Sequence, residues 1–216
     1  MNKDFLLLAH RGCSLLFEEN TEDAFVEAAK SARAVEFDVR QTRDGKNVVF
    51  HDPNTKRLCG VRKPVGKTDY ADLPKTLQGN RILLLEEVLD ICQNLKIHME
   101  IKDNNVTKTL PKLGEHILVS SFLLDTIHFL KGKHPTLFLT EKRKDFVHFE
   151  NSGARYLGIP QRLANATLPA ERSKTFIYTV NIPELVLKSK EMGFGGVYCD
   201  GPENVLKEYP DFYFYG

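Results

Sequence analysis

The sequence predicts an α/β fold: eight strand-then-helix units whose parallel strands close into a (β/α)8, or TIM, barrel, with one irregular stretch after the second strand. Three observations predict it. Strand-like and helix-like segments alternate from end to end, which argues a parallel sheet, and eight such units suggest closure. The 216 residues fit a single domain over residues 1–216, since barrels reach about 250 residues as one unit, and no repeat, linker or low-complexity tract divides the chain. Finally, the charged strands alternate with a period of two, apolar residues one way and ionisable residues the other.

Phe5 to Ala9 (FLLLA) is a continuous apolar run ending in His10-Arg11-Gly12, as in a strand buried on both faces and followed by a glycine-bearing loop. It is too short for a signal-peptide core or a bilayer span. Asn20-Thr21-Glu22-Asp23 opens a helix: Asn20 or Thr21 is placed to cap the free N–H groups, and the acidic pair suits the positive end of the helix dipole. Ala24, Phe25, Ala28, Ala29 and Ala32 form its small apolar face.

Val35 to Asp52 (VEFDVRQTRDGKNVVFHD) organises the rest. Val35, Phe37 and Val39 point one way, Glu36, Asp38 and Arg40 the other. Asp44-Gly45 favours a tight reversal, and Asn47 to Phe50 then delivers His51 and Asp52. By itself this describes a strand with an acidic face wetted by solvent. A second segment, Lys96 to Lys102 (KIHMEIK), repeats the grammar, with His98, Glu100 and Lys102 opposite Ile97, Met99 and Ile101. If both strands lie in one sheet covered on its apolar side, three carboxylates converge on the other, where they repel unless a cation sits among them. A divalent metal is the economical hypothesis.

Between these segments Pro53 to Arg81 is irregular, with Gly60, Pro64, Gly66, Pro74 and Gly79, and a turn of helix near Tyr70 to Leu73. It carries seven basic residues, Lys56, Arg57, Arg62, Lys63, Lys67, Lys75 and Arg81, against Asp69 and Asp72. So long a loop reads either as a lid beside the site, its charge suited to an anionic ligand, or as a solvated excursion. Leu84 to Cys92 then reads as helix and Val106 to Leu113 as a short helix broken by Pro111. Strands are expected at 117–121, 136–139, 156–159, 175–180 and 197–199. Helices are expected at 123–130, 142–150, 184–192 and 203–207, with a turn or helix at 162–171.

Thirty Lys and Arg against 29 Asp and Glu give a net charge of +1, which offers no global pull toward nucleic acid or an anionic membrane. Cys13, Cys59, Cys92 and Cys199 lack CxxC spacing and a histidine-ligand pattern, so they read as reduced thiols in a cytoplasmic protein. No apolar run is long enough to span a membrane.

The run His10-Arg11-Gly12, Glu19-Asn20-Thr21, Ala24-Phe25, Glu36-Phe37-Asp38-Val39, Thr42, Asp44-Gly45 and Val48-Val49-Phe50-His51-Asp52 resembles the signature of the glycerophosphodiester phosphodiesterase family. Weaker echoes follow in Leu85-Glu86-Glu87-Val88-Leu89, Glu100-Ile101-Lys102, Ser121-Phe122, Tyr178-Thr179-Val180-Asn181 and Asp200-Gly201-Pro202. The resemblance implies a (β/α)8 barrel, with 53–81 as a short form of the family's insertion, and metal-dependent hydrolysis of glycerophosphodiesters to an alcohol and glycerol phosphate. It implies that Glu36, Asp38 and Glu100 hold the metal, that His10 and His51 are the acid/base pair, and that Arg11 and Lys102 contact phosphate. The chain departs from the pattern at Glu18 (usually Pro), Tyr178 (usually Trp) and Cys199 (usually Thr). Tyr178 retains an aromatic wall against the substrate.

Oxygen ligands alone select a hard cation, Ca²⁺ or Mg²⁺ with Mn²⁺ also fitting. That ion, with Arg11 and Lys102, would draw charge off a phosphodiester for in-line attack, while two histidines divide the proton work. His98 has no counterpart in the family and reads as structural. The expected partner is a small glycerophosphodiester; the residues leave oligomeric state open. Two alternatives stand beside hydrolysis: a lyase that stops at a cyclic phosphate, and an idle barrel that binds phosphate ligands.

Overall fold

The structure, a computed structural model, describes residues 4–213. Its elements in chain order are β1 (Leu6–His10), α1 (Glu22–Ser31), β2 (Ala34–Gln41), β3 (Asn47–Val49), α2 (Lys56–Cys59), β4 (Leu83–Leu84) and α3 (Leu85–Ile91). There follow β5 (Lys96–Ile101), β6 (Ile117–Ser121), α4 (Leu124–Leu130), β7 (Thr136–Leu139), α5 (Phe146–Ser152), β8 (Tyr156–Pro160) and β9 (Thr175–Tyr178). The last are α6 (Pro183–Glu191), β10 (Gly196–Cys199) and α7 (Pro202–Glu208). Among the described residues β1, β2 and β5 to β10 form a parallel ring, closed where β1 pairs with both β2 and β10. Outside the ring the short β3 pairs antiparallel with β2, and β4 pairs antiparallel with β3.

The period of two sorts side chains between two apolar layers. Outward, Val35, Phe37 and Val39 of β2 and Ile97, Met99 and Ile101 of β5 pack with Phe25, Ala28 and Val88 from the helices. Inward, Leu8, Ala34, Leu118, Leu137, Phe176 and Tyr198 fill the floor of the lumen. His98 joins that floor, its Nδ1 2.9 Å from the Tyr198 hydroxyl, and burial pushes its imidazole down to about 3. Its place in the floor agrees with the structural reading.

Three local expectations are corrected. Thr21 precedes α1, but neither predicted capping side chain bonds the helix: Thr21 Oγ1 donates to the Glu18 carbonyl and Asn20 Nδ2 to Asp38. The stretch Val106 to Leu113 makes only a 3₁₀ turn, Val106–Lys108, since Pro111 lacks the N–H and disfavours helix at Leu110, leaving too few residues for an α-helix. The last residues of the strand expected at 175–180 leave the ladder after Tyr178. Residues 162–171 take the turn of the two expected forms: a 3₁₀ turn at Gln161–Leu163 runs into the segment and another follows it at Arg172–Lys174.

The 53–81 excursion folds back on itself through an Asn54–Pro64 bridge, α2, and 3₁₀ turns at Val65–Lys67 and Tyr70–Asp72. None of its basic side chains lines the cavity at the barrel mouth. Arg57 is tied to Glu19 and Asp52, and Lys63 donates to the Asp72 carbonyl. Among the described residues no helix is long and apolar enough to cross a membrane.

Candidate active site

The ionisable faces of β2 and β5 meet at the C-terminal mouth of the ring, where barrel sites form. Register alone brings them together: His10 lies beside Glu36, Asp38 beside Glu100, and Glu100 beside Ser120. Each carboxylate is buried. One oxygen from each of Glu36, Asp38 and Glu100 falls within 4.8 Å of the others.

Two cations are built into this cluster. Lys102 Nζ lies 2.6 Å from Glu100 and 3.0 Å from Asp38, and Arg11 Nε lies 3.3 Å from Asp38. Burial disfavours every charge here, so neighbours decide the balance. At Asp38, Lys102 and Arg11 outweigh burial and hold the carboxyl below its usual range. At Glu36, burial and the adjacent Asp38 and Glu100 carboxylates push the group well above it. Glu100 is pushed up to about 7 by burial, with Asp38 adding and Lys102 opposing. Three carboxylates against two cations leave the cluster short of positive charge. A buried all-oxygen set of this kind fits a hard divalent cation.

The two predicted histidines face this cluster from different elements. His10 ends β1, its Nδ1 2.6 Å from Asp200 Oδ1 and its Nε2 3.8 Å from Glu36. His51 follows β3, where the Phe50 N–H bonds the Asp38 carbonyl and Arg40 Nε donates to the His51 carbonyl. Its Nδ1 lies 2.7 Å from Asp52 Oδ1. Burial lowers the His51 imidazole, against the opposing pull of Asp38. An ionised carboxylate can only accept, so in each pair Nδ1 carries the proton and the neutral ring leaves Nε2 with its lone pair.

His10, Arg11, Glu36, His51, Glu100, Lys102 and Tyr178 line one cavity of about 160 Å³; Asp38 lies directly beneath, against Arg11 and Lys102. Tyr178 stands in its wall, edge-on to Phe122, its hydroxyl donating to the Thr140 carbonyl. All the residues predicted for the site are therefore brought together. Residue pattern alone assigns no role to the two carboxylates that hold the histidines. Asp52 was detectable as the neighbour of His51; Asp200 sits 190 positions from His10, marked only by the echo Asp200-Gly201-Pro202.

A second set of contacts holds the loop between β1 and α1 against the site. Glu19 accepts from Arg11 at 2.9 Å and from Arg57 at 2.6 and 2.7 Å, which fixes Arg11 over Asp38. Arg11 and Asn20 both adopt positive φ, 57° and 58°, a costly conformation for side-chain-bearing residues. The Asn20 N–H bonds the Arg11 carbonyl at 3.0 Å, and the Arg11 N–H bonds the Glu36 carbonyl at 2.9 Å.

The model of the glycerophosphoryl diester phosphodiesterase family matches residues 10–128. A glycerophosphodiester phosphodiesterase of Bacillus altitudinis is 24% identical, over 93% of this chain and 96% of that protein. An uncharacterized protein of Mycoplasma genitalium is 31% identical, over 85% of this chain and 86% of the other. Among solved structures, a glycerophosphodiester phosphodiesterase from Thermotoga maritima superposes with a TM-score of 0.81 at 27% identity, over 94% of this chain and 98% of that one.

Proposed function

The chain belongs to the glycerophosphoryl diester phosphodiesterase family, hydrolases of glycerophosphodiesters, and from that premise we propose a divalent-metal-dependent cleavage to an alcohol and glycerol phosphate with His10 and His51 as the acid/base pair. One observation carries the reading: two histidines, each with Nδ1 on its own carboxylate, line the same small cavity as Glu36, Glu100, Arg11 and Lys102.

Glu36, Asp38 and Glu100 would hold one cation, Ca²⁺ or Mg²⁺ with Mn²⁺ also fitting, which when bound neutralises phosphoryl charge as a Lewis acid. Arg11 and Lys102 receive the phosphodiester oxygens from the cavity wall. Both are held charged: burial opposes their protonation, but Asp38 and its neighbours overcome it and raise both groups. One histidine takes a proton from the nucleophile at Nε2, and the other gives one to the departing alkoxide. Asp200 and Asp52 hold the two rings and offset the charge of whichever becomes imidazolium. Tyr178 and Phe122 wall the cavity beside the substrate and reduce water access.

EDTA is expected to abolish release of glycerol phosphate from glycerophosphocholine. His10→Ala and His51→Ala are each expected to lower kcat at least about 100-fold. Unchanged turnover in either variant removes the acid/base assignment. Reaction in ¹⁸O-water separates hydrolysis from a lyase, whose cyclic product carries no label.

A further inference from the structure

Arg57 stands on α2, in the excursion that follows His51, and its guanidinium faces two carboxylates at once. Nη1 and Nη2 donate to the two oxygens of Glu19 at 2.7 and 2.6 Å. Nε and Nη2 donate to those of Asp52 at 2.8 and 3.1 Å. Each contact is a fork of two hydrogen bonds, a geometry that lysine cannot supply.

The two carboxylates serve different parts of the active site. Asp52 holds the Nδ1 proton of His51. Glu19 accepts from Arg11 Nη1 at 2.9 Å; Arg11 Nε is buried without a hydrogen-bond partner, so the bond to Glu19 sets the turn of that guanidinium. Glu19 and Asp52 share Arg57 Nη2, which leaves their oxygens close enough to repel if the cation between them is removed. Burial pushes both carboxyls up, and Arg57 opposes it more strongly than any other neighbour. It holds Glu19 below its usual range, with Arg11 adding, and with His51 it pulls Asp52 down to about 2.

The excursion is built to present this side chain. Gly60, at φ 73°, ends α2 with its N–H on the Lys56 carbonyl. Thr55 is fully buried; its hydroxyl donates to the Val61 carbonyl and accepts the Lys63 N–H. The Leu77 N–H bonds the Leu58 carbonyl. None of these residues, Arg57 included, lines the catalytic cavity.

We propose that Arg57 is a positioning residue that ties His51 to Arg11, so that one guanidinium from outside the barrel sets both proton transfer and phosphoryl binding. The assignment rests on the function proposed above and adds the part played by the 53–81 excursion. Without Arg57, Glu19 and Asp52 part to relieve their repulsion, and each takes the group it holds out of line.

Steady-state hydrolysis of glycerophosphocholine, with the divalent cation saturating, tests the assignment. Arg57→Ala lowers kcat/KM about 10- to 100-fold, the scale of an ångström's misplacement at a reacting group, while urea unfolding shows the variant folded; Arg57→Gln replaces it if it does not fold. Arg57→Lys keeps the charge without the two forks and recovers only part of the loss. Because the Arg57 side chain is 45% exposed, millimolar methylguanidinium reaches the gap in Arg57→Ala and restores activity, and tetramethylammonium at the same concentration does not. Combined with Glu19→Gln, and separately with Asp52→Asn, Arg57→Ala costs less than the product of the single losses. Calorimetric binding of glycerol 3-phosphate gives a readout without turnover: its affinity falls about tenfold in Arg57→Ala as Arg11 loses its hold. If the wild type does not hydrolyse glycerophosphocholine, the function proposed above fails, and this binding comparison still decides the role of Arg57. A kcat/KM within about threefold of wild type, equal rescue by both cations, independent losses in either double-variant cycle, or unchanged affinity for glycerol 3-phosphate overturns the proposal.

Discussion

The substitution Asp200→Asn tests how His10 is held. Asp200 Oδ1 lies 2.6 Å from His10 Nδ1, and Oδ2 accepts from Asn181 Nδ2 at 2.7 Å. Burial pushes this carboxyl up, but the hydrogen bond and charge of His10 outweigh it and hold the group below its usual range. The asparagine side chain would have nearly the same shape without the negative charge. If its amide nitrogen faces His10, Nδ1 must become the acceptor and Nε2 carries the proton, so the ring no longer serves as a base. If its oxygen faces His10, its nitrogen meets Asn181 Nδ2, donor to donor. A hydrogen bond to a charged group contributes about 1.5 to 3 kcal/mol, which corresponds to about a 10- to 150-fold fall in kcat/KM. The assay is steady-state hydrolysis of glycerophosphocholine across pH, with urea unfolding to confirm the fold. The fall should appear in kcat. A kcat within about threefold of wild type, or a loss confined to KM, would refute the assignment of Asp200 as the residue that positions His10.

Other parts of the molecule can be tested as directly. Gly12 has φ +79°, and a Cβ there would meet the Ala24 backbone at 2.7 Å; Gly12→Ala should destabilise by about 1 to 3 kcal/mol, and an unchanged urea midpoint would contradict the close approach of the β1–α1 loop to α1. If Glu36, Asp38 and Glu100 share a cation, millimolar Ca²⁺ or Mg²⁺ should raise Tm in the wild type by mass action and much less in Glu36→Gln; equal shifts in both proteins would place the metal elsewhere. Burial pushes the thiols of Cys92 and Cys199 up to about 12 from an ordinary value of 9.0. The unfolded chain therefore loses these protons first: the stability these groups provide is complete below about pH 9 and declines as pH rises toward 12. Urea midpoints of wild type and Cys92→Ala should converge over that range, and a constant difference would show that Cys92 does not titrate as described.

Alternation within Val35–Arg40 and Lys96–Lys102 was enough to assign Glu36, Asp38 and Glu100 to one face, because side-chain direction in a strand depends only on residues two apart. The same local rule placed Phe37 and Met99 against the helices, and the strand–helix count led to the barrel. Local rules failed where a distant partner competed. Asn20 does not cap α1, since Asp38 draws its amide into the site, and Thr21 turns back to the Glu18 carbonyl.

Closure of the ring decided the rest. It sets β10 beside β1, Ala9 against Cys199, and only that pairing brings Asp200 to His10. It also decides which apolar residues stay outside: Leu7 and Leu15 look alike in sequence, yet one is fully buried and the other 59% exposed. Leu7 lies in a strand with both faces covered, whereas Leu15 hangs from a turn whose backbone is bonded to the opposite end of the chain. Residue type records a preference for leaving water. Which surface covers a side chain, and which charge meets it, depends on chain segments joined across the fold, and spacing along the sequence carries little of that information.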